Sequence, residues 1–350
     1  MGMNQSSPGC NLAFIGCQPR SGSTLLQRML GTHPAIYTTS EPWLMLPPAY
    51  MLRETGVEAE YDANLARRAI REFWDDLPNG RADYIEGLRH MYGFLYQRAL
   101  ADTEGQIFLD KTPRYYLILS ELREIFPEAR FILLIRNPLA VLSSILRTWV
   151  GDRWLKLSNF RLDLLEAPKL ILNAQRDLEE SAVIVHYEDV VQQPKAELST
   201  LCDHLGVEFD PAIIEYGRES IDPWKYGDPE SVYEHQQPKK SSLEKWVQPE
   251  NAQQWKLLYD YIRELGENTM NGLGYDYGRC IRTLENARPS QSELRYTYSI
   301  EWLLSRPVKN QGYWERHAVE LTNALQDGGV VGAVHHVMKQ FCSGLKRKMK

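Results

Sequence analysis

Phe14 to Pro34 read FIGCQPRSGSTLLQRMLGTHP. The segment begins within a short apolar run, Leu12 to Cys17. It then turns at Pro19 and Gly22 and continues from Thr24 to Leu30 with Leu25, Leu26, Met29 and Leu30 at helical spacing. That order is strand, tight loop, helix. Such a junction presents free backbone N–H groups and the positive end of the helix dipole, a setting suited to a phosphate or its sulfur analogue. A nucleoside-triphosphate loop carries GxxxxGK followed by Ser or Thr. Here five residues separate Gly16 from Gly22 and the lysine is absent, which weakens a kinase or GTPase assignment. Arg20 precedes the turn, where its fork can take two anionic oxygens, and Ser23 and Thr24 can donate hydroxyls from the helix start. Taken alone, the loop is equally well an ordinary turn with capping hydroxyls.

The same architecture recurs downstream. ARFILLIRNPLAVLSSILRTW gives a buried-type strand, a turn and a helix. Arg136 closes that strand and Ser144 follows eight positions later. A helix rising from Pro138 places Ser144 about a turn and a half in, so Arg136 and Ser144 converge on a second phosphate. QIFLDKTPRYY and Ala182 to His186 supply further strands, and KAELSTLCDHLGV reads as a helix closed by Gly206. Two amphipathic helices lie between Tyr61 and Leu100. Strands alternating with helices predict an α/β fold with a doubly wound parallel sheet flanked by helices. From Ile221 to Pro249 the composition is polar and Pro-rich, as in a loop over a ligand site.

Composition narrows the function. At 350 residues, 43% hydrophobic and 25% charged, the chain is long enough for a sizeable core. A net charge of -6 argues against a nucleic-acid partner. Cys10, Cys17, Cys202, Cys280 and Cys342 are scattered, without a CxxC pair, and fit a reducing cytoplasm better than a disulfide framework or a zinc site. MGMNQSSPGC lacks the pattern of a secretory signal, and no apolar run approaches a membrane-spanning length, so neither export nor a membrane partner is expected.

Together these motifs resemble the nucleotide-binding elements of sulfotransferases that use 3'-phosphoadenosine 5'-phosphosulfate (PAPS). QPRSGSTLLQRMLGTHP is most similar to the tyrosylprotein sulfotransferases and their bacterial relatives, in which Arg replaces the loop lysine. SEPW (Ser40 to Trp43), DKTPRY (Asp110 to Tyr115), HYEDVVQQP (His186 to Pro194) and KKSSLEKW (Lys239 to Trp246) extend the resemblance over about the first 275 residues. It implies a P-loop-like sulfotransferase domain over 1–278, with a helical acceptor-side insert at about 43–105 and a C-terminal helical extension over 279–350.

The resemblance also implies roles. Arg20, Ser21, Gly22, Ser23 and Thr24 hold the 5'-phosphosulfate, Arg136 and Ser144 hold the 3'-phosphate, and Tyr187 lies near the nucleotide. Glu41 matches the general base and Lys111 the group that stabilises charge on the leaving phosphate. From its place beside Lys111, Asp110 either orients that ammonium or, the favoured reading, closes the strand. His33 and His186 fall on no catalytic position and read as structural. Lys240 is a donor in the later loop, although Glu244 stands where the tyrosylprotein enzymes carry a serine. No metal is expected, because Arg and Lys can neutralise the leaving phosphate. The expected partner is a small-molecule acceptor of secondary-metabolite or toxin type. The rivals are a protein-tyrosine sulfotransferase, a P-loop small-molecule kinase and a catalytically dead nucleotide-binding protein. The aromatics of the insert, among them Trp43, Tyr50, Phe73, Trp74 and Tyr96, are expected to fill the core or to line an acceptor pocket.

Overall fold

In the computed structural model, which describes residues 9–39, 41–53, 63–215 and 243–305, the apolar run Leu12–Cys17 is β1, at the centre of a sheet. The chain continues through α1 (Ser23–Gly31) to β2 (Ile36–Thr38). It then passes through α2 (Leu46–Met51), α3 (Ala63–Asp75) and α4 (Arg81–Leu100) to β3 (Ile107–Asp110). Next come α5 (Leu119–Ile125), β4 (Arg130–Ile135), α6 (Pro138–Ile145), α7 (Ala167–Asp177) and β5 (Ala182–His186). The remaining helices are α8 (Tyr187–Gln192), α9 (Pro194–Leu205), α10 (Ala252–Gly272), α11 (Tyr277–Asn286), α12 (Gln291–Leu294) and α13 (Ile300–Leu304). The five strands run in the order β2-β3-β1-β4-β5 and every pairing is parallel, so the fold is the α/β parallel sheet the alternation predicts.

Period-two alternation distributes the strand side chains between two layers. Ala13, Ile15 and Cys17 of β1 pack with Leu25, Leu26 and Met29 of α1 and Leu201 of α9. Leu12 and Phe14 pack on the other face with Tyr96, Leu122, Phe126 and Phe131. Both faces are covered, which is why Leu12–Cys17 and Phe131–Ile135 are continuous runs without a charged residue. Gly16 fits this packing closely: a Cβ there would stand 2.9 Å from Leu119 Cδ2, and the leucine would have to shift.

The strand order locates the site. From β1 the chain moves to β2 and β3 on one side, then crosses to β4 on the other, so the ends of β1 and β4 flank a topological switch point, where ligands bind in open α/β sheets. Because the strands are parallel, the segments after all five emerge at one edge. They carry Gln18 to Gly22, Glu41, Lys111, Arg136 and Tyr187 in turn.

Trp74 and Tyr96 of the insert belong to the core, whereas Phe73 and Phe94 are exposed. Beyond Gly278, Cys280, Leu284, Ile300 and Leu303 pack with Val141 and Leu142 of α6 and Leu257 and Leu258 of α10. Residues 306–350 lie outside the described residues, as do 216–242, and with them Lys240.

Candidate active site

Local backbone shapes the loop after β1. Arg20 has φ 70°, and Gly22, the N-cap of α1, is left-handed at φ 89°. Only glycine suits this second position, since a Cβ would lie 2.3 Å from Tyr187 Cδ2. No side chain caps α1 and no acidic residue lies in its first turn. The first-turn N–H groups and the dipole of α1 are therefore not answered by an N-cap side chain. Ser21 Oγ is buried with no hydrogen-bond partner among the described residues. Together these features fit an anion.

Arg20 stands between Arg136 and Ser144 and is bonded to each. Arg20 Nε donates to Ser144 Oγ at 3.1 Å and its Nη2 to Thr148 Oγ1 at 3.4 Å. Arg136 Nη1 donates to the Arg20 carbonyl at 3.0 Å, and its guanidinium lies 4.3 Å over the Tyr187 ring. Burial pulls the Arg136 pKa below its ordinary value, and the Arg20 charge adds to that pull. Tyr187 is buried beneath Gly22 and Arg136, supporting both. Thr148 lies in a π-helical turn, Leu146–Val150, that extends α6. Its spacing of four from Ser144 is the one signal that sequence reasoning had for it. Ser23 and Thr24, also buried, open α1.

On the other side of the loop, Lys111 Nζ donates to Glu41 Oε1 at 2.5 Å. Lys111 is 0% exposed and Glu41 8%, so the two predicted reacting groups form one enclosed ion pair. Their loops are joined beneath by Asp110, which does more than close its strand. Its Oδ2 accepts from the Tyr96 and Tyr115 hydroxyls at 2.6 and 2.9 Å and its Oδ1 from Thr112 Oγ1 at 3.3 Å. Thr112 Oγ1 and the Tyr115 hydroxyl in turn accept from the backbone N–H groups of Trp43 and Met45, at 3.3 and 3.2 Å. The carboxylate thus fixes the segment that carries Glu41 through two relayed hydroxyls. Gln27 of α1 holds the same segment from above, its Nε2 donating to Thr38 Oγ1 and the Thr39 carbonyl, both at 2.8 Å.

Burial holds the Asp110 carboxyl up at about 6, against an ordinary 3.8, despite its three hydroxyl donors. The folded chain therefore binds this proton more tightly than the unfolded chain, so the group's contribution to stability is fullest below about pH 4 and is lost as pH rises through 6. Asp110→Asn removes the titration. Its stability relative to the parent should improve between pH 4 and pH 7, by up to about 3 kcal/mol. Urea unfolding at the two pH values measures the difference, and a constant difference would remove Asp110 from this window.

A second polar node ties the phosphate loop to the loop after β3. Asp163, buried in the π-helical turn Leu162–Glu166, accepts from Arg114 Nη2 at 3.0 Å and the Tyr116 hydroxyl at 2.6 Å, and its carbonyl accepts from Gln18 Nε2 at 2.5 Å. Nothing in the spacing of Gln18 and Asp163 signals this contact. The two histidines make structural contacts: His33 Nε2 meets the Glu208 carbonyl at 2.6 Å and His186 Nε2 the Leu273 carbonyl at 3.0 Å.

The sulfotransferase family model matches residues 13–211, more than half of the chain, and spans the loop after β1, the Glu41–Lys111 pair and the Arg136–Ser144 junction. The chain belongs to the sulfotransferase family. Among relatives of this sulfotransferase, the nodulation protein NoeE of Sinorhizobium fredii is 29% identical over 334 residues, covering 86% of this chain and 75% of that protein. Protein-tyrosine sulfotransferase A of Caenorhabditis elegans is 26% identical over 219 residues, or 61% of this chain, which thereby spans 54% of that protein. The sulfotransferase domain from the curacin biosynthetic pathway is a solved structure 24% identical, with a TM-score of 0.47, covering 69% of this chain and 91% of that domain. As a family member the chain is a transferase. Among the described residues no helix is long and apolar enough to cross a membrane.

Proposed function

We propose that the protein transfers a sulfuryl group from PAPS to a hydroxyl or amine of a small-molecule acceptor by in-line displacement. The observation that carries this is the meeting of Arg20, Arg136 and Ser144 at the switch point, beside an enclosed Glu41–Lys111 pair on the same sheet edge. Two cationic forks, an uncapped helix start and the orphaned Ser21 hydroxyl fit a nucleotide with two separated phosphate groups.

When bound, the donor supplies the sulfuryl group and a phosphate leaving group. The chain's own residues supply position and charge. The loop after β1 and the start of α1 bind the 5' end, and Arg136 with Ser144 orients the 3' end. Glu41 takes the acceptor's proton on Oε2, the oxygen opposite the one Lys111 holds. Lys111 turns its ammonium from Glu41 toward the charge developing on the leaving phosphate, which separates the base from its counter-ion as the reaction begins.

The enclosure of the pair favours a slender acceptor over a folded protein surface. Sulfation of acidic tyrosine peptides with no small-molecule activity would overturn it. Buried free thiols at Cys17, Cys202 and Cys280 suit a reducing compartment such as the cytoplasm.

Calorimetric titration with adenosine 3',5'-bisphosphate, against ATP with Mg²⁺, tests the donor. The bisphosphate is expected to bind at least about tenfold more tightly, one 3'-phosphate contact set being worth 1.5–3 kcal/mol. A preference for ATP would restore the kinase alternative.

A further inference from the structure

Trp43 is a large apolar side chain kept where the fold gives it little shelter. Its φ of 54° lies in the left-handed region, which a bulky residue enters only under constraint, and it is 43% exposed. The backbone around it is nonetheless firmly held. The Trp43 N–H is bonded to Thr112, directly after Lys111, and the Met45 N–H to Tyr115, both anchored on Asp110. Two residues before it stands Glu41, paired with Lys111. Asn or Gly would adopt this backbone with less strain, and a polar side chain would suit its exposure. These bonds hold the backbone in its left-handed conformation but do not call for an indole at an exposed position, and strain held in this way concentrates at ligand sites.

We propose that Trp43 is the acceptor platform of the enzyme. Its indole stacks on the flat face of a ring, C–H or π, and that ring carries the reacting hydroxyl to Glu41. The proposal rests on Glu41 and Lys111 being the reacting groups. It names the acceptor class as a ring-bearing alcohol or phenol in preference to an open-chain alcohol of equal size. An indole offers a broad, rigid face that loses little freedom when a ring settles on it, which explains why the position holds Trp rather than a small polar residue. The second exposed aromatic surface near the loop is already in use: Trp149 stacks on Phe160 at 5.1 Å and lies under the Arg20 guanidinium.

The test uses the full chain saturated with adenosine 3',5'-bisphosphate. Saturation-transfer NMR then follows p-nitrophenol, a methyl pyranoside and sorbitol as the open-chain control. The parent is expected to bind both ring probes in preference to sorbitol. Trp43→Asn should weaken ring binding by about tenfold, while bisphosphate affinity stays within about twofold. Its melting temperature should hold or rise, because Asn relieves the left-handed strain; a structural Trp43 would instead lower it. Trp43→Phe should keep most of the ring binding. Ring probes that bind the parent no better than sorbitol, or that bind Trp43→Asn as well as the parent, would overturn the platform alone. A parent that does not bind the bisphosphate would overturn the donor assignment and the platform with it.

Discussion

Lys111→Ala is expected to lower sulfuryl turnover by about 10²- to 10³-fold and to weaken the fold at the same time. Both effects have one origin. The ammonium is fully buried and bonded to Glu41 Oε1 at 2.5 Å, so its removal deletes the donor that meets the leaving group's charge and strands a carboxylate of 8% exposure. Breaking one side of such a pair costs about 3–5 kcal/mol, enough to consume much of a typical domain's stability. Loss of activity alone would therefore be ambiguous, and the companion variants separate the two effects. Glu41→Gln keeps the shape and an acceptor oxygen for Lys111 while removing the base. It should reduce turnover with bisphosphate affinity retained. The double variant Lys111→Met with Glu41→Gln removes both charges, so it should recover stability over Lys111→Ala and yet remain inactive. Urea unfolding, calorimetry and release of labelled sulfate to an acceptor provide the three readouts. Turnover in the double variant near the parental level would refute the catalytic assignment and leave the pair a structural one.

The sheet is legible because four of its strands are largely apolar runs bounded by turn or charged residues. β2 is not, since Ile36–Thr38 is three residues long and is defined only by its register with Ile107, Phe108 and Leu109. A segment that short has no period to read. Within the site, helix geometry predicts that Ser144 and Arg136 face one anion, and in the structure Arg20 is bonded to both. The contact between Arg20 and Ser144 spans 124 positions and depends on a left-handed arginine, which no propensity signals. The role of Asp110 is hidden in the sequence for a related reason. Its importance lies in hydroxyls from Tyr96, Thr112 and Tyr115 and in the two N–H groups relayed through them, partners that tertiary packing alone assembles. In the sequence Trp43 is one aromatic among many; its strain and exposure appear only in the folded chain.

Arg136→Ala should weaken adenosine 3',5'-bisphosphate binding by about 10²-fold, the largest affinity loss among the site variants, because a charge-assisted fork on phosphate is worth roughly 1.5–3 kcal/mol. The guanidinium is well placed for that task. It is held by the Arg20 carbonyl at 3.0 Å and by the Tyr187 ring at 4.3 Å, so little freedom remains to be lost when an anion arrives. Arg136→Lys should not restore affinity, since an ammonium neither forks nor stacks in the same way. The contact of Arg20 with Ser144 leaves a sharper question, namely which phosphate each arginine serves. Comparing the bisphosphate with adenosine 5'-phosphate answers it. If Arg136 and Ser144 hold the 3'-phosphate, the preference for the bisphosphate collapses in Arg136→Ala and Ser144→Ala. In Arg20→Ala both nucleotides should weaken together and the preference should persist. A preference lost only in Arg20→Ala would reverse the two assignments, and Arg136 would then belong to the 5' end, beside the start of α1.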